Sequence, residues 1–205
     1  MGSCARWSVL TPSWNMNKTR RHHYRAWMIV LALIWPAAAS LPAAADTTDR
    51  FIGTVLFMRH ALAPGIGDPD LFSFQDCSTQ RNLDATGRAQ AQMIGAKLAA
   101  ADIKFSAIYS SYWCRCLETA QLLGLGDVKP FDGLNSFYQN HAPRDATLAK
   151  LRQRLDSFSP SASAILMVTH SVTIQAITGF SVASGGVVIY DLKTGKAQEL
   201  ALSSL

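Results

Sequence analysis

Arg59 and His60 close an otherwise apolar run, VLFMRH (55–60), and this pair is the first candidate for chemistry. Val55, Leu56, Phe57 and Met58 predict a strand buried on both faces, as in a parallel sheet. Neither Arg nor His belongs in an apolar core. The strand is therefore expected to deliver both to the carboxyl edge of its sheet, where α/β proteins bind ligands. Two other segments end in the same way. Ala107–Tyr109 predicts a short strand running into Ser110-Ser111, with Arg115 a turn later. Ile165–Val168 is a second fully apolar strand, and it ends in Thr169-His170. Two guanidinium groups and two imidazoles at one rim describe a ligand site rather than solvated surface. Guanidinium is a permanent cation, and imidazole changes charge near neutral pH.

Helices must alternate with these strands to hold them parallel. A first strand is predicted over Phe51–Arg59, then a Gly- and Pro-rich loop, Ala61–Asp70, irregular through Cys77. Asp84 is a suitable N-cap for a helix over Ala85–Ala101, along which Ala91, Ile94, Leu98 and Ala101 recur at helical spacing. A second helix over Arg115–Leu123 should stop at Gly124. Lys129–Asn140 reads as a brief strand followed by a loop. Leu148, Leu151, Leu155 and Phe158 mark one face of a third helix, with Pro160 beyond its end, and a fourth is expected over Val172–Thr178. Gly186–Leu192 and Ala197–Leu202 form a terminal hairpin. The alternation predicts an α/β fold: a three-layer α/β/α sandwich with a mostly parallel central sheet and an antiparallel edge hairpin at the C-terminus.

The 205 residues divide into an N-terminal extension and signal peptide, 1–45, and one domain, 46–205. Residues 1–45 hold Arg6, Lys18, Arg20, Arg21 and Arg25 and no acidic residue, so the remaining 160 carry fourteen charges of each sign. A neutral domain argues against nucleic acid or an anionic membrane as its partner. Lys18, Arg20, Arg21 and Arg25 form a positive n-region before the apolar stretch Ala26–Trp35. Cleavage is expected after Ala43-Ala44-Ala45, with Ala37-Ala38-Ala39 as the rival site and Met16 as a plausible start. An uncleaved anchor is the alternative, although the run falls short of the roughly 20 residues a span needs. The chain is thus expected to be exported, with the periplasm as its compartment and no stable membrane insertion after cleavage. Cys4 lies in the extension. In an oxidising compartment Cys77 is expected to pair with Cys114 or Cys116, leaving one thiol over; the alternative is three unpaired cysteines. The C-x-C spacing with one distant Cys does not suit zinc.

Four segments, MRH (58–60), RNLDATGRAQA (81–91), SSYWCRCLETA (110–120) and VTHS (168–171), resemble in order and spacing the signature blocks of the histidine phosphatase superfamily. That superfamily also contains the cofactor-dependent phosphoglycerate mutases. The resemblance spans residues 53–202 and implies roles. His60 corresponds to the nucleophile that takes the phosphoryl group, Arg59 and Arg115 to the arginines that clamp it, and His170 to the second histidine of the pocket. Phosphoryl transfer suits such a set, because it needs a positioned nucleophile and charge complementary to the equatorial oxygens. His60 must be neutral to attack, with its other ring nitrogen donating to a backbone carbonyl. No metal and no cofactor are implied.

Two departures matter. The family's usual Gly after the nucleophile is Ala61. Relatives with a strong general acid carry Glu two residues after a Leu like Leu134, and here that position is Ser136. General acid catalysis is typically worth about 10²–10⁴-fold, so its loss falls on poor leaving groups. Asp68, Asp70, Asp76, Asp132, Asp145 and His141 are candidate replacements, although each is more simply read as a capping or surface residue. The expected activity is that of a metal-independent phosphatase acting on a phosphomonoester or phosphoramidate, its substrate a small phosphorylated molecule or a phosphorylated sugar or protein. A phosphoramidate would need no strong acid, as in the family's small phosphohistidine-protein phosphatases. A mutase is disfavoured by the missing acid. The alternative is a weak or inactive phosphate-binding module of the same fold. Substrate and oligomeric state stay open.

Overall fold

The computed structural model describes residues 49–205. The expected signal peptide, its cleavage sites and Cys4 lie outside them. Six strands and four helices alternate: β1 (Thr54–Arg59), α1 (Ala85–Ala100), β2 (Phe105–Ser110), α2 (Cys114–Leu122), β3 (Val128–Pro130), α3 (Arg144–Asp156), β4 (Ala164–Thr169), α4 (Ser171–Thr178), β5 (Val187–Asp191) and β6 (Ala197–Leu200). They form one sheet in the order β3-β2-β4-β1-β5-β6. The first four strands run parallel, while β5 returns antiparallel against β1 and carries β6 at the edge.

The alternation of side chains along β1 and β4 divides the core in two. Leu56 and Met58 of β1 and Leu166 and Val168 of β4 pack with Ile94 and Leu98 of α1 and Cys116 and Ala120 of α2. Val55 and Phe57, with Ile165 and Met167, face Leu151 and Leu155 of α3 and Ile174 of α4. Burial on both faces is why these strands read as unbroken apolar runs. Helices therefore cover each face of the sheet, giving the three-layer sandwich.

The first strand begins later than Phe51. Residues Asp49–Phe51 form a 3₁₀ turn, and Gly53 takes φ +68° where a Cβ would lie 2.0 Å from the Pro160 carbonyl oxygen. That close backbone approach delays β1 to Thr54. Asp84 caps α1 as expected, its carboxylate accepting from Gly87 N–H at 2.7 Å. Gly87 admits no side chain: a Cβ would sit 1.9 Å from the Leu62 carbonyl oxygen. The first turn of α1 thus rests on the backbone just beyond His60. Among the described residues no helix is long and apolar enough to cross a membrane.

Cys77 is bonded to Cys114, leaving Cys116 as a buried free thiol. The bridge ties the long loop after β1 to the first residue of α2 across 37 positions. Closing such a loop restricts the unfolded chain and is typically worth about 2–4 kcal/mol. Cys77→Ala should therefore lower the urea-unfolding free energy by about 3 kcal/mol; a midpoint indifferent to both the substitution and reductant would show that the bridge contributes nothing.

Candidate active site

Three strands end side by side at one rim of the sheet. His60 N–H donates to the Thr169 carbonyl at 2.9 Å, and Ser111 N–H donates to that of Val168 at 3.0 Å. The residues following β1, β2 and β4 are thereby fixed by the sheet itself. A cleft of about 180 Å³ opens there, and Arg59, His60, Arg115 and His170 all line it. Every residue singled out at the strand ends is brought together. The rings of His60 and His170 lie 5.6 Å apart, centre to centre.

His60 is 2 % exposed, and its Nδ1 lies 2.7 Å from the Ala61 carbonyl oxygen. Nδ1 must carry the proton, since a carbonyl only accepts, so Nε2 holds the lone pair. Burial, and then the positive charge of Arg115, push the His60 pKa down to about 3. The ring is therefore neutral at physiological pH. His170, also buried, is held well below its ordinary value by the same two causes in the same order. Its Nε2 lies 2.9 Å from Ser111 Oγ, which in turn donates to Asn135 Oδ1 at 3.2 Å. With the hydroxyl proton committed to Asn135, His170 donates from Nε2 and turns the Nδ1 lone pair toward Arg115 Nη2, 3.5 Å away.

Arg81 is a third arginine lining the cleft. Its Nε donates to the Gly67 carbonyl at 2.8 Å and its Nη1 to that of Ala63. Burial, followed by the charge of Arg115, lowers the pKa of Arg59 and of Arg81, yet guanidinium stays protonated. Arg59 Nη1 donates to the Val182 carbonyl at 3.0 Å, while the buried Nε–H groups of Arg59 and Arg115 find no acceptor. A buried donor left unpaired costs about 1–3 kcal/mol. The three guanidinium groups that line the cleft make it a strongly cationic site. The residues present fit a phosphoryl group.

Ala61 is accommodated: it avoids the left-handed region, is fully buried, and donates its N–H to Thr119 Oγ1 at 3.0 Å. The acid candidates fare differently. Asp70 is exposed and Asp76 caps the turn Cys77–Thr79. Asp132 pairs with Lys150, and Asp145 with Arg144. His141 packs against Phe72, ring centres 4.5 Å apart. None of these lines the cleft, whereas Ser136 does, its Oγ accepting from Tyr138 N–H at 3.2 Å. Asp68 is neither a cap nor a surface residue. Its carboxylate is buried against Arg115, with contacts of 2.7 and 3.1 Å to Nη1 and Nη2. Burial alone would raise its pKa, but the hydrogen bond and charge of Arg115 outweigh it and hold the carboxyl below the usual value. It cannot serve as an acid.

Sequence reasoning passed over Arg81, Asn135 and the ion pair of Asp68. Arg81 had a visible signal, since it opens the RNLDATGRAQA segment three residues before the helix cap. The other two had none, because irregular chain places them.

The sequence profile of the "Histidine phosphatase superfamily (branch 1)" matches residues 55–137. The match and the fold together support the histidine phosphatase superfamily. Among solved structures, a candidate alpha-ribazole-5'-P phosphatase from Escherichia coli aligns with a TM-score of 0.54 and 19% identity, over 72% of this chain and 94% of its own. A candidate phosphohistidine phosphatase SixA from Nakamurella multipartitia aligns at 0.52 and 19%, over 72% and 93%. Phosphoserine phosphatase from Entamoeba histolytica, in complex with 3-phosphoglyceric acid, aligns at 0.51 and 18%, over 72% and 95%. Likeness at such identities concerns the fold. No curated protein matches the chain significantly. Superfamily and fold together support a phosphatase.

Proposed function

We propose that this protein hydrolyses a phosphomonoester or phosphoramidate through a phosphohistidine at His60. The observation that carries the reading is the neutral imidazole, its Nδ1–H committed to Ala61, in a cleft lined by Arg59, Arg81 and Arg115. The Nε2 lone pair attacks phosphorus as the bond to the leaving oxygen or nitrogen breaks. The ring becomes cationic, and the Ala61 carbonyl stabilises its Nδ1–H. Water then attacks phosphorus, the N–P bond breaks, and inorganic phosphate leaves with Nε2 regaining its pair. Arg59, Arg81 and Arg115 neutralise the equatorial oxygens throughout.

The leaving group takes its proton from solvent, since no carboxyl group lines the cleft among the described residues. Substrates with good leaving groups are favoured, and a phosphoramidate such as phosphohistidine is one. The phosphohistidine phosphatase among the structural neighbours fits that preference. The Cys77–Cys114 bridge suits a compartment outside the reducing cytoplasm, in keeping with export of the chain to the periplasm.

The test is to react the protein with an aryl phosphate in the presence of chelator, quench, and map the phosphoryl group by mass spectrometry. An acid-labile, base-stable phosphoryl group on His60 is expected. Turnover abolished by chelator, or a label on another residue, would overturn the mechanism. Phosphate binding without turnover would favour the binding module.

A further inference from the structure

We infer that Asp68 is a positioning residue for phosphoryl transfer, fixing the plane and place of the Arg115 guanidinium at the wall of the cleft. This rests on the reading that Arg115 binds phosphate. Asp68 lies outside all four segments that resemble the family's blocks, in the loop between β1 and α1. Its two oxygens take both Nη groups of Arg115, at 2.7 and 3.1 Å. A two-pronged pair of this kind fixes the plane of a guanidinium as well as its place. The Asp68 oxygens also accept from Trp113 Nε1 at 2.9 Å and from Arg81 N–H at 3.0 Å. The side chains of Asp68 and Arg115 are each 3 % exposed, so water does not compete for the pair.

With both Nη groups engaged, the buried Nε–H is the Arg115 donor left without an acceptor. The carboxylate also offsets one of three guanidinium charges, leaving two to meet a phosphate dianion. Asp68 is itself held by the turn before α3. Its N–H donates to Gln139 Oε1 at 2.8 Å, and its carbonyl accepts from Gln139 Nε2 at 3.3 Å. Gln139 and its neighbour Asn140 adopt φ of +59° and +60°. Left-handed backbone at two successive non-glycine residues is unfavourable and persists where the surroundings impose it. The clasp sets the carboxylate, and the carboxylate sets the arginine.

The test is a double-mutant cycle in the full chain, read by aryl phosphate hydrolysis and by calorimetry with inorganic phosphate. Asp68→Asn keeps the side chain's size and should lower kcat/KM by about 10–100-fold, the scale of a misplaced catalytic group, and weaken phosphate binding. In an Arg115→Ala background the same change should cost less than about twofold, because contacting residues acting as a unit are not additive. Added guanidinium should rescue Arg115→Ala only while Asp68 is present. If Asp68→Asn fails to fold, Gln139→Ala releases the loop without touching the carboxylate, and its smaller loss should likewise vanish without Arg115. Unchanged kcat/KM and phosphate affinity, or an equal loss with and without Arg115, would overturn the proposal. Wild-type protein that binds phosphate through an Asp68-dependent Arg115 but turns nothing over would sink the phosphatase reading alone. Wild type that binds no phosphate would sink both.

Discussion

Replacing His60 by alanine is expected to lower turnover of an aryl phosphate by at least about 10⁴-fold. The figure follows from the role proposed for the imidazole, a nucleophile held beside the phosphoryl group. Effective molarities of positioned groups reach about 10⁵–10⁸ M, so water entering the vacated space is a poor substitute. Arg59, Arg81 and Arg115 would still gather the substrate, and KM should change far less than kcat. Circular dichroism and the thermal midpoint serve as controls, because His60 is buried and its removal leaves a void. Turnover within tenfold of wild type, in folded protein, would move the nucleophile elsewhere.

The same burial makes the domain acid-sensitive well above the carboxylate range. His60 titrates at about 3 in the folded protein, and His170 well below its ordinary value. In the unfolded chain both take up a proton near pH 6.5. Below that pH the unfolded state binds more protons, so stability that is full above 6.5 is lost as the pH falls toward the folded values. His60 alone contributes about 1.4 kcal/mol per pH unit, or about 2 kcal/mol between pH 6 and 4.5, and His170 adds a loss of the same sign. Asp68 adds its own loss only below about pH 4, where the unfolded carboxyl protonates. Urea midpoints across this range measure the slope, and His60→Gln should make it shallower. A flat profile would mean that the folded protein already carries charged imidazoles.

What the sequence made legible, and what it did not, follows from how each part is specified. β1 and β4 were legible because burial on both faces demands unbroken apolar runs, and the charged or titratable residues at their ends then marked the rim. The cap at Asp84 and the stop before Gly124 were legible because local hydrogen bonding and left-handed backbone have few residue solutions. β3 was faint: three residues with little burial carry no period. The Asp68–Arg115 pair was invisible for a deeper reason. Its partners lie 47 positions apart, and their meeting depends on an irregular loop tied by Cys77–Cys114 and by the hydrogen bond from Asp68 N–H to Gln139. No periodicity encodes such a loop.

The sheet also has a bearing on how copies of this domain behave together. Among the described residues its margins are β3, three residues ending in Pro130, and β6, four residues with Glu199 among them. Proline lacks the N–H that a new neighbour would need, a margin so short offers few rungs, and a charged side chain resists stacking. Neither margin is a template on which a second chain could add itself strand by strand. Crowded in one compartment, such domains are protected against fibrous self-association by the way the sheet begins and ends.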